Sequence, residues 1–325
     1  MKRNKKDNLI YHYCSLETFF AIITNKCIRL SDLNKTNDYM EKRWITTLIE
    51  GELISALKEW EIEINLNEDY WYSDNAKSHM KYYKNEMESV LYHEKPVLIS
   101  CFSEEKDILS QWRAYGNDGM GVSIGFDYKL LKLLEKGENK IWVEKVLYKE
   151  NQQKALLDSC INNTLCYMEK YFNNDEFKVT KDYNNYFRDN FDIFCEVLPD
   201  YLEQVSCYIK NPAFSEEKEV RIIYDPSLYN PLDILPTDNE KNMFFNSIKE
   251  VGGYSISPIK FNIRNNKIVT YVDLDFSDLV KKNIIKEIVI GPRSQVKEND
   301  VYYLLMANGY SFQDISVGKS SATYR

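Results

Sequence analysis

Apolar residues along the chain switch between a two-residue and a three-to-four-residue period, and the switches mark out the elements. Leu9–Cys14 (LIYHYC) is aromatic and apolar enough for a strand. Ser15 then stands at an N-cap position with Glu17 in the first turn. Phe19, Phe20, Ile22 and Ile23 supply a helix face that Asn25 can close. Cys27–Ser31 returns to extended structure, and the loop LNKTNDYME follows with turn chemistry at Asn37-Asp38. Lys42–Glu63 and Ala76–Tyr92 have helical periodicity. Val97–Phe102 reads as a buried strand, after which Ser103 is placed to cap a short helix carrying Leu109, Trp112 and Tyr115 and stopping at Gly116.

Val122–Phe126 predicts a strand, Tyr128–Glu135 a helix and Trp142–Tyr148 a strand; Glu150–Phe172 and Tyr183–Ile209 predict two longer helices. The remainder is strand-rich, at Val220–Tyr224, Ser255–Ile263, Lys267–Phe276 and Ile284–Ile290. A helix at Val301–Asn308 and a closing strand at Ile315–Tyr324 complete it. No repeat or low-complexity linker divides the pattern. It predicts a single α+β domain over residues 1–325, with helical insertions near 42–95 and 150–209.

Composition narrows the function classes. The chain has 325 residues, 44% hydrophobic and 28% charged, which is ordinary for a globular protein. Its net charge of −8 gives no global field for a long nucleic acid. The basic start MKRNKK meets no apolar run and is not read as a signal peptide. No segment approaches the ~18 consecutive apolar residues of a membrane span. Seven scattered cysteines without C-x-x-C read as reduced thiols in a cytoplasmic protein. Three histidines without ligand spacing give no metal site.

Candidate chemistry concentrates in three places. In NPAFSEEKEVRIIY, Glu217, Glu219 and Arg221 alternate, so on a strand they share a face. Two carboxylates held there can stabilise a sugar oxocarbenium and activate an acceptor; the same pattern also fits an exposed strand with an ordinary ion pair. His12, between Tyr11 and Tyr13, fits either a ligand contact or a satisfied core histidine. The block around Ser100, Ser103, Trp112, Arg113 and Tyr115 offers small hydroxyls, a guanidinium suited to phosphate and flat rings. Asn37, Asp38 and Glu41 fit a cation site or a turn with a helix cap. Gly116, Gly119 and Gly121 precede a strand, not a helix, which excludes a dinucleotide fingerprint.

Those blocks, taken in order, resemble the bacterial family catalogued as domain of unknown function 2971. They are Tyr11-His12-Tyr13, Leu33–Glu41, Ser100–Phe126, Phe214–Arg221, Ile288–Ser294 (IVIGPRS) and Ser320–Arg325. Their order also resembles the ADP-ribosyltransferase superfamily. That resemblance implies a largely antiparallel sheet core and NAD as substrate, with His12 as the first-strand residue and Glu219 with Glu217 as the catalytic carboxylates. It further implies Ser103 or Tyr115 as the middle-strand contact; Tyr13, Arg113 and Arg221 are expected beside them as cofactor contacts. Two departures stand out: His12, where an arginine usually accompanies Glu-x-Glu, and S-C-F-S in place of S-T-S on the middle strand.

The leading expectation is therefore an NAD-consuming, ADP-ribosyltransferase-like effector of a toxin or anti-phage system, acting on a protein or nucleic-acid acceptor. The alternatives are a non-catalytic sensor or binding module of a defence system that recognises a nucleotide or a phage component, and a Mg²⁺-dependent hydrolase or nuclease using the same carboxylates. Three structural expectations follow. His12 and Glu219 should share one cleft. Trp112 should be structural while Arg113 or Tyr115 faces the site. Arg325 should be ordered and paired with a charged group such as Asp38 or Glu41.

Overall fold

The structure is a computed structural model that describes residues 8–35, 44–45, 48–49, 51–52, 55, 97–135, 141–171, 191–224, 250–251, 254–264 and 266–324. The chain divides into two compact units, one of Met1–Thr36, Pro96–Val146 and Ser215–Arg325, the other of Asn37–Lys95 and Leu147–Phe214. The two stretches expected as separate helical insertions thus fall within one unit. The expected sites Asn37, Asp38, Glu41 and Arg325 lie outside the described residues.

The first unit opens with strand β1 (Leu9–Cys14), helix α1 (Leu16–Asn25) and strand β2 (Cys27–Asp32). Ser15 caps α1 as expected, its Oγ accepting the Thr18 N–H at 3.2 Å. Lys26 rather than Asn25 ends the helix, in the left-handed region at φ 54°. Then come β3 (Leu98–Ser103), α2 (Leu109–Ala114), β4 (Val122–Asp127), α3 (Tyr128–Leu131) and β5 (Ile141–Lys145). After the second unit the sheet resumes with β6 (Glu219–Tyr224), the small hairpin β7 (Glu250–Val251) and β8 (Tyr254–Ser255), β9 (Lys260–Arg264) and β10 (Lys267–Asp275). In the second unit, α4 (Glu150–Tyr171) and α5 (Phe191–Ser206) pack Leu157, Ile161 and Leu165 with Phe194, Leu198 and Leu202. The first unit closes with α6 (Ser277–Val280), β11 (Ile285–Ile290), α7 (Glu298–Ala307) and β12 (Ser316–Lys319).

The main sheet runs β12-β11-β4-β1-β3-β2-β10-β9, and β6 and β5 join through β3. Among the described strands only the β11–β12 pairing is parallel, so this is the mixed, largely antiparallel α+β architecture expected. Strand β3 pairs with β6 along all its length, from Leu98↔Tyr224 to Ser103↔Glu219. Its other edge is divided: β1 takes the Ser103 end and β2 the Leu98 end. The sheet therefore forks at β3.

Alternation along the strands gives two unlike faces. On the inner face, Ile10, Cys14, Phe102, Ile124, Phe126, Val220, Ile222 and Ile288 form one apolar core with α1 and α7. On the second face, Tyr11, Tyr13, Trp112 and Val289 form a smaller aromatic cluster.

Candidate functional site

Register decides which of the expected residues meet. Tyr11 pairs with Ser103, and Ser103 pairs with Glu219. Directly paired residues in antiparallel strands point to the same face. Tyr11, Ser103 and Glu219 thus form a row across three adjacent strands on the second face. Gly125 and Glu287 extend that row through β4 and β11. Three blocks far apart in sequence converge there.

His12 does not join them. One residue along from Tyr11, it turns to the inner face, where its ring lies 5.4 Å from the Phe102 ring and Nδ1 is 2.9 Å from the Cys101 carbonyl. Burial lowers its pKa, against a weaker opposing effect of that hydrogen bond. The expectation of His12 and Glu219 in one cleft is thus corrected: the two lie on opposite faces of the sheet, because an odd step separates His12 from the Tyr11 register. His12 is a half-buried histidine on the core face of the sheet.

Glu217 is corrected as well. It ends a 3-10 helix, Pro212–Glu217, rather than opening the strand, and Lys218 breaks the alternation with φ 44°. Its carbonyl accepts the Ser103 hydroxyl at 2.7 Å. Ser103, expected as a helix cap, instead anchors this turn and also accepts the Glu105 N–H at 3.1 Å. Glu219 and Arg221 do share a strand face. Arg221 donates from Nε at 2.7 Å and Nη2 at 3.0 Å to the two oxygens of Glu219, and its side chain is fully buried. A carboxylate held by a guanidinium fork has its charge compensated, which weakens the field it could offer a ribosyl cation.

The row carries a second polar group that the sequence reading did not single out. Tyr11 donates its hydroxyl to Glu287 at 2.7 Å, and Lys106 reaches the other Glu287 oxygen at 2.8 Å. Gly125 makes that reach possible, since a Cβ there would sit 2.9 Å from the Tyr11 ring. Burial, then the Glu287 hydrogen bond and charge, push the Tyr11 pKa well up, so its hydroxyl stays a donor. Glu287 was visible in sequence as the one acid of the apolar run IIKEIVI.

Beside Tyr11 and Glu287 lies a groove of about 1290 Å³ within the first unit. Lys106, Lys218 and Lys286 line it, as do Tyr302 and Phe312. Lys218 is held by Glu105 at 2.5 Å; Lys286 has no ion-pair partner among the described residues. The rings of Tyr302 and Phe312 meet edge to face at 6.3 Å, and Phe312 is 41% exposed.

The remaining expected contacts gather at another corner. Trp112 is fully buried, as expected, while Tyr115 is 43% exposed and Arg113 is exposed. Tyr13 packs edge to face on Trp112 at 4.9 Å and donates to the Glu105 carbonyl at 2.8 Å, a structural role. The guanidinium carbons of Arg113 and Arg293 each lie 5.2 Å from the centre of the Tyr324 ring. Asp118 accepts from both Tyr324 and Arg293. Asp107 ties the closing segment down, accepting from Trp112 Nε1, Ser320 Oγ and both the N–H and Oγ of Ser321. Burial would raise the Asp107 pKa, but the hydrogen bonds from Ser320, Trp112 and Ser321 hold it below the usual carboxylate range.

Among the described residues, no group of three or more His, Cys, Asp or Glu converges to hold a metal ion. No described helix is long and apolar enough to cross a membrane. Comparison with curated proteins and with solved structures returns no match. Residues 111–222, from within α2 to β6, match the model of the family described as protein of unknown function (DUF2971), so the resemblance to that family holds.

Proposed function

We propose that the protein recognises a nucleotide, with NAD as the first candidate, in the groove beside Tyr11 and Glu287. The observation that carries this reading is the combination of groups along one groove. Lys106, Lys218 and Lys286 suit phosphates, Tyr302 and Phe312 suit a base, and Glu105 and Glu287 suit ribose hydroxyls. A ligand with only phosphates would meet repulsion from the carboxylates. A nucleotide has donors for them as well as acceptors for the ammonium groups, so mixed charge selects for it.

Turnover of NAD needs an uncompensated carboxylate beside the ribose, and Glu105 and Glu287 are each paired with a lysine of the same groove. Glu219 is compensated by Arg221, and His12 lies on the other face of the sheet. The reading is accordingly binding without transfer. Calorimetric titration with NAD, ADP-ribose, ATP and adenosine tests it. Phosphorylated nucleotides should bind more tightly than adenosine, and Lys286→Ala and Phe312→Ala should each weaken binding about tenfold, the loss of one good contact. Equal affinity in both variants, or no binding, overturns the proposal. Nicotinamide release that disappears in Glu219→Gln would restore the transferase reading instead.

A further inference from the structure

The β9–β10 hairpin leaves an apolar surface where the sheet ends. Ile263 pairs with Ile268 and Phe261 with Thr270, so Phe261, Ile263 and Ile268 share one face. It is the same face on which Val272 and Leu274 enter the core four and six residues later, continued beyond the core's edge. There the three side chains are 64%, 76% and 67% exposed. Scattered apolar residues at a surface need no explanation, but three sharing one face of a terminal hairpin do.

Among the described residues the edge itself is unpaired. β9 ends the strand order and has no outer neighbour among the described residues. The Ile263 N–H is capped at 2.7 Å by the side-chain Oδ1 of its own neighbour Asn262, a weak local substitute for a partner strand. By alternation, the main-chain groups of Phe261 point the same way.

Charge says what fits. In a chain of net charge −8, the segment Lys260–Lys267 (KFNIRNNK) carries three cations and no acid. Lys260 is paired with Asp273 at 2.9 Å, while Arg264 and Lys267 have no ion-pair partner among the described residues. A second copy of β9, paired antiparallel about Asn262, would set Lys260 against Arg264 of the other copy, an unfavourable like-charge pair. A membrane surface would leave the outward backbone groups of Phe261 and Ile263 without partners in hydrocarbon.

From this hairpin we infer a docking site for an extended, acidic segment of a partner protein. The segment adds antiparallel to β9, places alternate apolar side chains over Phe261, Ile263 and Ile268, and sets its carboxylates toward Arg264 and Lys267. Asn262 gives up its bond to the Ile263 N–H, and the partner backbone takes it.

The test titrates the full chain against a fluorescein-labelled peptide of alternating glutamate and valine, and against its lysine–valine counterpart. The acidic peptide should bind, and the basic one at least about tenfold more weakly, the scale of one lost anchor. Ile263→Pro removes an outward donor at an edge position that tolerates proline, so it should abolish binding while the circular dichroism melting curve stays in place. Arg264→Glu with Lys267→Glu should invert the peptide preference. Equal binding of both peptides, binding that survives Ile263→Pro, or no peptide binding overturns the inference. So does capture by phosphatidylserine vesicles or concentration-dependent dimerisation that Ile263→Pro abolishes in place of peptide binding.

Discussion

The same chemistry occurs twice in the first unit with opposite surroundings. On β6, Arg221 grips Glu219 through two hydrogen bonds, with side-chain exposures of 0% and 6%. Across β2, β10 and β9, Arg29 and Lys260 share Asp273 at 3.1 Å and 2.9 Å, with the cations 48% and 44% exposed. Both look like ion pairs on strands. Only the first has been taken out of water, so only in the first does losing one partner strand a charge in a medium that cannot solvate it. Burial, more than partner identity, sets what each pair contributes.

The largest expected effect comes from breaking the buried pair. Glu219→Gln leaves Arg221 charged within the sheet and should cost about 3–5 kcal/mol, lowering Tm by roughly 10 °C. Scanning calorimetry reads it directly. Replacing both partners, as Glu219→Leu with Arg221→Met, should recover part of that loss, because neither of these two charges is then left buried without the other. A single variant that melts with the wild type would place Glu219 on the exposed side of the comparison.

His12 sharpens the comparison through pH. Its folded pKa is lowered by burial, so the folded state resists the proton that the unfolded chain accepts near about pH 6.5. Stability is therefore fully present above that pH and falls as pH drops through it toward the folded value. The slope is at most about 1.4 kcal/mol per pH unit for one proton. Tm measured from pH 8 to pH 5 should decline for the wild type and less so for His12→Phe, which keeps a ring against Phe102. Parallel curves would mean that His12 titrates in the native protein and reaches solvent.

Much of the architecture was legible because period and turn chemistry agree. The Ser15 cap, the strands from Leu9 to Phe126 and the buried Trp112 all follow from local pattern. The convergence of the Tyr11, Ser103 and Glu219 blocks was legible as a group of polar positions in apolar strands. Which face each residue takes was not. That depends on register, and a step of one residue sends His12 to the core face while Tyr11 meets Ser103. Nor could the sequence reveal that Lys218 leaves the extended region and detaches Glu217 from the strand. The Asp107 contacts to Ser320 and Ser321 span more than two hundred residues, beyond any local signal.

The smallest effect is expected where the pair is wet. Asp273→Asn removes the carboxylate that Arg29 and Lys260 share, yet both cations keep their water. Exposed pairs of this kind are worth less than about 1 kcal/mol, and salt screens them further. Arg29 has a second contact, its guanidinium carbon 3.8 Å from the centre of the Tyr271 ring, which the Asp273 variant leaves in place. Arg29→Ala removes both the ion pair and the stacking, and should therefore destabilise more than Asp273→Asn does. Urea titrations at low and at roughly molar salt separate the two contributions: at high salt the Asp273→Asn difference should vanish while the Arg29→Ala difference persists. If Asp273→Asn proves as costly as Glu219→Gln, burial does not explain the contrast between the two pairs.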